Sequence, residues 1–195
     1  MKLVFATNNA HKLEEVRSMI GQKFEIVSLK DIGYFEDIPE TSGTIAGNAH
    51  QKAETLHKLT GRNCFADDSG LEVFALDRQP GVDSAFYAGP QKNSYDNNQK
   101  LLREMKGKSD RSARFVTVIS LAVNGVFHQF EGYVNGVIAH ELSGENGFGY
   151  DPLFIPEGYE HSFSALPAEI KESISHRAKA VEKLKEFLAN YHFQE

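Results

Sequence analysis

Two β-rich runs, Phe115 to Val123 and Val126 to Phe130, are separated only by Asn124-Gly125. This dipeptide constrains the fold more than any other short segment, because both positions tolerate the positive φ that a two-residue hairpin turn demands. Antiparallel strands are therefore expected in the middle of the chain. The N-terminus follows another pattern. Leu3 to Ala6 is a short apolar run, and Thr7, Asn8 and Asn9 suit a strand exit and a helix cap. From Ala10, the residues Leu13, Val16, Met19 and Ile20 recur at helical spacing; Gly21 is placed to end the helix and Phe24 to Leu29 reads as the next strand. Strand, helix, strand is an α/β unit, so the whole reads as mixed α/β with a second, antiparallel lobe.

A second amphipathic stretch from Thr44 to Leu59 carries Ile45, Ala49, Ala53, Leu56 and Leu59, with Gly61 as its stop. Cys64, Phe65 and Ala66 form a buried run that the polar quartet Asp67-Asp68-Ser69-Gly70 interrupts, before Leu71, Val73 and Phe74 resume an extended pattern. Arg78 to Gly81 and Ala88 to Gln91 read as turns, Ser94 to Met105 as a helix, and Lys106 to Arg111 as solvated linker. Tyr133 to Ala139 contains Asn135-Gly136, a further turn or a bulge within a long strand. Ala168 to Leu188 is helical in two pieces.

With 195 residues and 14 phenylalanines, the chain can close a substantial core as one domain or two joined lobes. A net charge of -6 argues against broad salt-driven binding to nucleic acid. The single cysteine, Cys64, cannot form an internal disulfide, and no Cys/His cluster has zinc spacing. No apolar run has the length of a signal-peptide core or a membrane span. A cytoplasmic protein with no membrane partner is expected.

Four constellations could carry chemistry. Thr7-Asn8-Asn9 with Lys12 is a strand-to-helix turn where backbone amides, side-chain amides and an ammonium could converge on phosphate; it lacks the glycines and the GK[ST] ending of a P-loop. Asp67-Asp68-Ser69-Gly70 suits either a hard cation and an oriented water or an acidic β-turn, and Glu40 is a further oxygen ligand or a solvated loop residue. Gly147-Phe148-Gly149-Tyr150-Asp151-Pro152 could sandwich a planar base or simply plug a core. Lys171 with Ser175-His176-Arg177 places cations at a helix N-terminus, against its dipole, where a bound anion would explain them.

These four strings, with Glu40-Thr41, Asn48-Ala49, Lys52-Ala53 and Pro80-Gly81-Val82, are spread over nearly the whole chain. In this order they resemble the inosine triphosphate pyrophosphatase family, the XTP/dITP diphosphatases. The resemblance implies an α/β fold with an elongated mixed β-sheet flanked by helices, two lobes with a central active-site cleft, residues 1–195 as a single two-lobed domain, and usually a homodimer. It implies Mg2+-dependent hydrolysis of ITP, dITP or XTP to the nucleoside monophosphate and pyrophosphate. It implies that Thr7, Asn8, Asn9, Lys12 and Lys52 hold the triphosphate, that Glu40 and Asp68 bind Mg2+, that Asp68 is the general base and Asp67 its supporting carboxylate, and that Ser69 contacts substrate. Phe148, Gly149 and Tyr150 would surround the base, with Asp151, Lys171, His176 and Arg177 completing the pocket. Gly47 stands where that family usually has glutamate, Phe86 where arginine is common, and Glu172 where asparagine is frequent. The competing expectations are a house-cleaning hydrolase for other modified nucleotides and a catalytically idle nucleotide-binding protein.

Overall fold

The computed structural model describes residues 2–20 and 24–191; Gly21, the expected helix stop, lies outside them. Strands are β1 (Lys2–Phe5), β2 (Glu25–Ser28), β3 (Cys64–Val73), β4 (Ser112–Val123), β5 (Val126–Ile138) and β6 (Phe154–Pro156). Helices are α1 (Ala10–Ile20), α2 (Ile45–Thr60), α3 (Ser94–Glu104), α4 (Ala168–Ile174) and α5 (His176–Asn190). One six-stranded sheet has the order β2-β1-β3-β4-β5-β6. β1 pairs in parallel with both β2 and β3, and β5 pairs antiparallel with β6, so the sheet is mixed as expected.

The chain divides into two compact units. The first contains Met1–Asp68, Thr117–Gly132 and Arg177–Glu195; the second contains Ser69–Val116 and Tyr133–His176. In the first, strand alternation sends Leu3, Phe5 and Phe65 to one face, where they pack with Val16 and Ile20 of α1 and Val181 and Leu184 of α5. Val4, Ala6, Cys64 and Ala66 face the other way, onto Ala53 and Leu56 of α2. Both faces of this parallel strand set are thus covered, as a parallel sheet requires. The second unit has its own core, including Leu71, Leu101, Phe115, Tyr150, Phe154 and Phe163.

Local chemistry sets the boundaries. Asn9 Oδ1 accepts from the backbone N–H of His11 and Lys12 at 3.0 and 3.2 Å, which starts α1. Thr44 Oγ1 caps α2 through Gly47 N, and Gly61 closes it at φ 64°. Asn124 and Gly125 lie at φ 50° and 77° between β4 and β5, the expected hairpin turn.

One expectation needs correction and one open choice is decided. Asp67 to Gly70 do not interrupt extended structure and form no β-turn: β3 runs through them as ten continuous residues. Of the two readings open for Asn135-Gly136, the turn falls and the long strand holds, because β5 continues through it; a Cβ at Gly136 would lie 2.2 Å from Ile155 O, so the absent side chain admits β6. The three-residue β6 was not anticipated. Among the described residues, no helix is long and apolar enough to cross a membrane.

Candidate active site

Continuity of β3 decides how its two carboxylates are used. Successive side chains in a strand point to opposite faces, so Asp67 follows Phe65 toward α1 and α5, and Asp68 follows Ala66 toward α2. Asp67 Oδ1 accepts from Lys12 Nζ at 3.1 Å, and its Oδ2 lies 3.4 Å from Arg177 Nε. Arg177 also pairs with Glu15 on α1 and is only 2% exposed. On the other face, Asp68 Oδ2 accepts from Asn48 Nδ2 at 3.2 Å, and its Oδ1 lies 3.9 Å from Lys52 Nζ, which also bonds Glu40 Oε1.

The two carboxylates consequently differ in acidity. Burial opposes ionisation of Asp67, but Lys12, Arg177 and Lys52 outweigh it and hold the group well below the ordinary carboxylate range. Burial raises Asp68 to about 6; Lys52 and Lys12 work against that rise, while Glu40 and Asp67 add to it. Burial depresses Lys12. It also opposes charge on Lys52, where Asp67, Asp68 and Glu40 prevail and raise the pKa.

Lys52 Nζ therefore sits where oxygens of Glu40 and Asp68 converge on positive charge. Lys12, Lys52 and Arg177 set three positive charges against four carboxylates, Glu15, Glu40, Asp67 and Asp68. This donor set fits Mg2+, a hard cation commonly held by one or two carboxylates together with waters and substrate phosphates. Among the described residues there is no group of three or more His, Cys, Asp or Glu side chains able to hold a metal, so a protein-only cage is not on offer.

The remaining expected residues are distributed as follows. Thr7, half-buried two residues beyond β1, accepts from Asn9 N at 3.2 Å; Asn8 is exposed. Ser69 is half-buried within β3. In the second unit, Gly147 at φ 79° lets the Asp151 carboxylate approach closely: a Cβ there would lie 2.2 Å from Asp151 Oδ2. That oxygen accepts from Phe148 N and Lys171 Nζ, both at 2.8 Å, and the Lys171 ammonium lies 5.0 Å from the Phe148 ring centroid. Gly149 takes φ 62° and its carbonyl accepts from Asn98 Nδ2 at 2.9 Å.

Three of the expected residues are buried. Tyr150 is 4% exposed within the core of the second unit, and its hydroxyl donates to Ser84 O at 2.8 Å, so it anchors the loop. His176 is buried and stacked on Phe115 with ring centroids 4.7 Å apart. Arg177 meets an anion, as its position against the helix dipole requires, but that anion is the protein's own Asp67 and Glu15. Of the unusual positions, Gly47 lies in the first turn of α2, Phe86 is exposed beneath Lys92, and Glu172 is exposed on α4. Sequence reasoning assigned no role to Asn48, Asn98 or Glu15. The available signal was a polar residue at a core-facing helical position, with partners too distant in sequence to find.

Fold and cluster together define a mixed α/β protein that gathers carboxylates and ammonium groups at the end of a parallel strand set. The chain belongs to the Ham1 family, whose model matches residues 3–187. A Flavobacterium johnsoniae relative called dITP/XTP pyrophosphatase is 51% identical over 188 residues, spanning 96% of this chain and 98% of its own. A Porphyromonas gingivalis relative with the same name is 54% identical over 188 residues, spanning 96% and 97%. The Ham1 protein of Staphylococcus aureus has a structure that matches with a TM-score of 0.90 at 38% identity, covering 97% of this chain and 98% of that one.

Proposed function

We propose that this protein hydrolyses dITP, ITP and XTP to the corresponding monophosphate and pyrophosphate, clearing non-standard purines before polymerases use them. The observation that carries this reading is the division of labour on β3: Asp67 is held ionised between Lys12 and Arg177, while Asp68 is lifted to about 6 beside Lys52 and Glu40. Its support from outside the chain is the shared name of relatives that are half identical over almost their full length.

Glu40 and Asp68 are the residues that would hold Mg2+. When bound, Mg2+ offsets charge on the phosphates and lowers the pKa of a coordinated water. Lys12 and Lys52, with the turn from Thr7 to Asn9, take the triphosphate; Asn9 acts there through the α1 N-terminus that its side chain caps. Asp68, whose Oδ1 lies 3.9 Å from Lys52 Nζ and whose Oδ2 accepts from Asn48 Nδ2, is a positioned carboxylate that can take a proton from the attacking water, and we assign it as the general base. Asp67 serves it indirectly by fixing Lys12. Ser69 contacts the substrate.

In base recognition Phe148 offers its ring, Lys171, Asp151 and His176 offer polar edges, and Gly149 and Tyr150 shape the loop. Inosine and xanthine carry a C6 carbonyl where adenine carries an amino group, so a donor facing that position favours them. Arg177 we place in support of Asp67. Residues 1–195 act as one catalytic domain, working as a homodimer in the cytoplasm.

The test is incubation of purified protein with Mg2+ and, separately, dITP, ITP, XTP, ATP and GTP, with quantification of monophosphate, pyrophosphate and orthophosphate. Monophosphate with pyrophosphate, fastest from the non-standard purines, is expected. Orthophosphate with a diphosphate product would move the attack to the γ-phosphate and overturn the reading.

A further inference from the structure

The loop carrying Glu40 is tied down by one face of α2. Asn48, Gln51 and Lys52 share that face at helical spacing i, i+3 and i+4. Gln51 Oε1 accepts from Thr41 N at 2.8 Å and its amide nitrogen donates to Thr41 Oγ1 at 2.9 Å; Lys52 bonds Glu40 itself. Asn48 does more. Its Oδ1 accepts from Ser42 N at 3.0 Å and lies 2.9 Å from Ser42 Oγ, while its Nδ2 donates to Asp68 Oδ2 at 3.2 Å.

The orientation of this amide follows from its partners. A backbone N–H can only donate, so the atom facing Ser42 N is the carbonyl oxygen, which turns the NH2 toward the carboxylate. Asn48 is 4% exposed, so neither end exchanges freely with water. It thereby joins the Glu40 loop to Asp68 through one rigid amide. With Oδ2 of Asp68 fixed, Oδ1 is the oxygen turned toward Lys52 and, through it, Glu40.

Gly47 supplies the room. A Cβ there would lie 2.3 Å from Ser42 Oγ and 2.7 Å from both Ser42 Cβ and Thr44 Oγ1. The serine hydroxyl reaches Asn48 across space that any side chain at position 47 would enter.

We propose that Asn48, locked by Ser42 in the space Gly47 leaves open, is a positioning residue that sets the spacing of Glu40 and Asp68 as a pair of Mg2+ ligands. This rests on the reading that those two carboxylates hold the metal. Residues that orient metal ligands typically change affinity about 10- to 100-fold when removed.

The experiment measures Mn2+ binding by electron paramagnetic resonance on the full-length protein with an α,β-imido analogue of dITP. Asn48→Ala should raise the Mn2+ concentration for half-occupancy roughly tenfold, while the KM for dITP at saturating Mg2+ changes by less than about threefold and the far-UV circular dichroism is retained. Ser42→Ala removes the hydroxyl but keeps the backbone donor, so it should raise half-occupancy by a smaller factor. Added to Asn48→Ala it should change nothing more, since Ser42 acts through Asn48. Metal affinity in Asn48→Ala equal to wild type, or additive effects in the double variant, would overturn the positioning role alone. Should Asn48→Ala fail to fold, the Ser42→Ala measurement decides, and unaltered half-occupancy there overturns the proposal. Wild-type protein that binds no Mn2+ would overturn the metal assignment itself and the positioning role with it.

Discussion

Asp67 and Asp68 are adjacent in sequence but face different partners, and replacing each by its amide separates two kinds of loss. Asp67→Asn takes from buried Arg177 and half-buried Lys12 the carboxylate they share, and breaking a buried pair typically costs about 3–5 kcal/mol. Urea denaturation of Asp67→Asn should therefore show a large drop in stability. Asp68→Asn keeps the shape of the side chain and removes the proposed base, so kcat should fall by roughly 10²- to 10⁴-fold. Nucleotide binding measured calorimetrically should persist; near-wild-type turnover in this variant would rule out the base assignment. The pairing of the two carboxylates was legible in the sequence, but not their division between faces. Asp, Ser and Gly are ordinarily turn residues, and only the partners from α1, α2 and α5 make an extended backbone favourable there. Arg177 illustrates the same limit: its carboxylate partners lie 110 and 162 positions away.

At the level of elements, punctuation was read well and tertiary demand was not. Thr44, Gly61 and Asn124-Gly125 mark boundaries by local backbone chemistry, and each occupies the predicted place. The three-residue β6 has no pattern of its own and exists because Gly136 admits it. The Phe148 loop depends on Gly147 in the same way. Gly147→Ala would strain a left-handed backbone and drive a methyl into Asp151 Oδ2, separating it from Phe148 N and Lys171. The expected result is a loss of about 1–3 kcal/mol in stability, seen in thermal melts, together with a raised KM for dITP. An unchanged KM would argue against this loop in base recognition.

For the molecule as a whole, neither unit is a continuous stretch of chain, and β3, β4 and β5 each contribute residues to both. Cys64 offers a way to follow the first unit: it is fully buried on β3, and burial pushes its thiol up to about 12. Alkylation by iodoacetamide at pH 8 should then proceed only through opening, at least about 10³-fold slower than in the denatured chain. Fast labelling of the native protein would show that this face of the strand set is not closed. The last piece of that unit, beginning at Arg177, also has a biosynthetic consequence. Glu15 and Asp67 leave the ribosome long before the guanidinium that joins them, so a prematurely terminated chain lacks the cation that half-buried Glu15 and buried Asp67 share. Chains that stop before Arg177 should therefore be digested faster by a protease than the full-length protein.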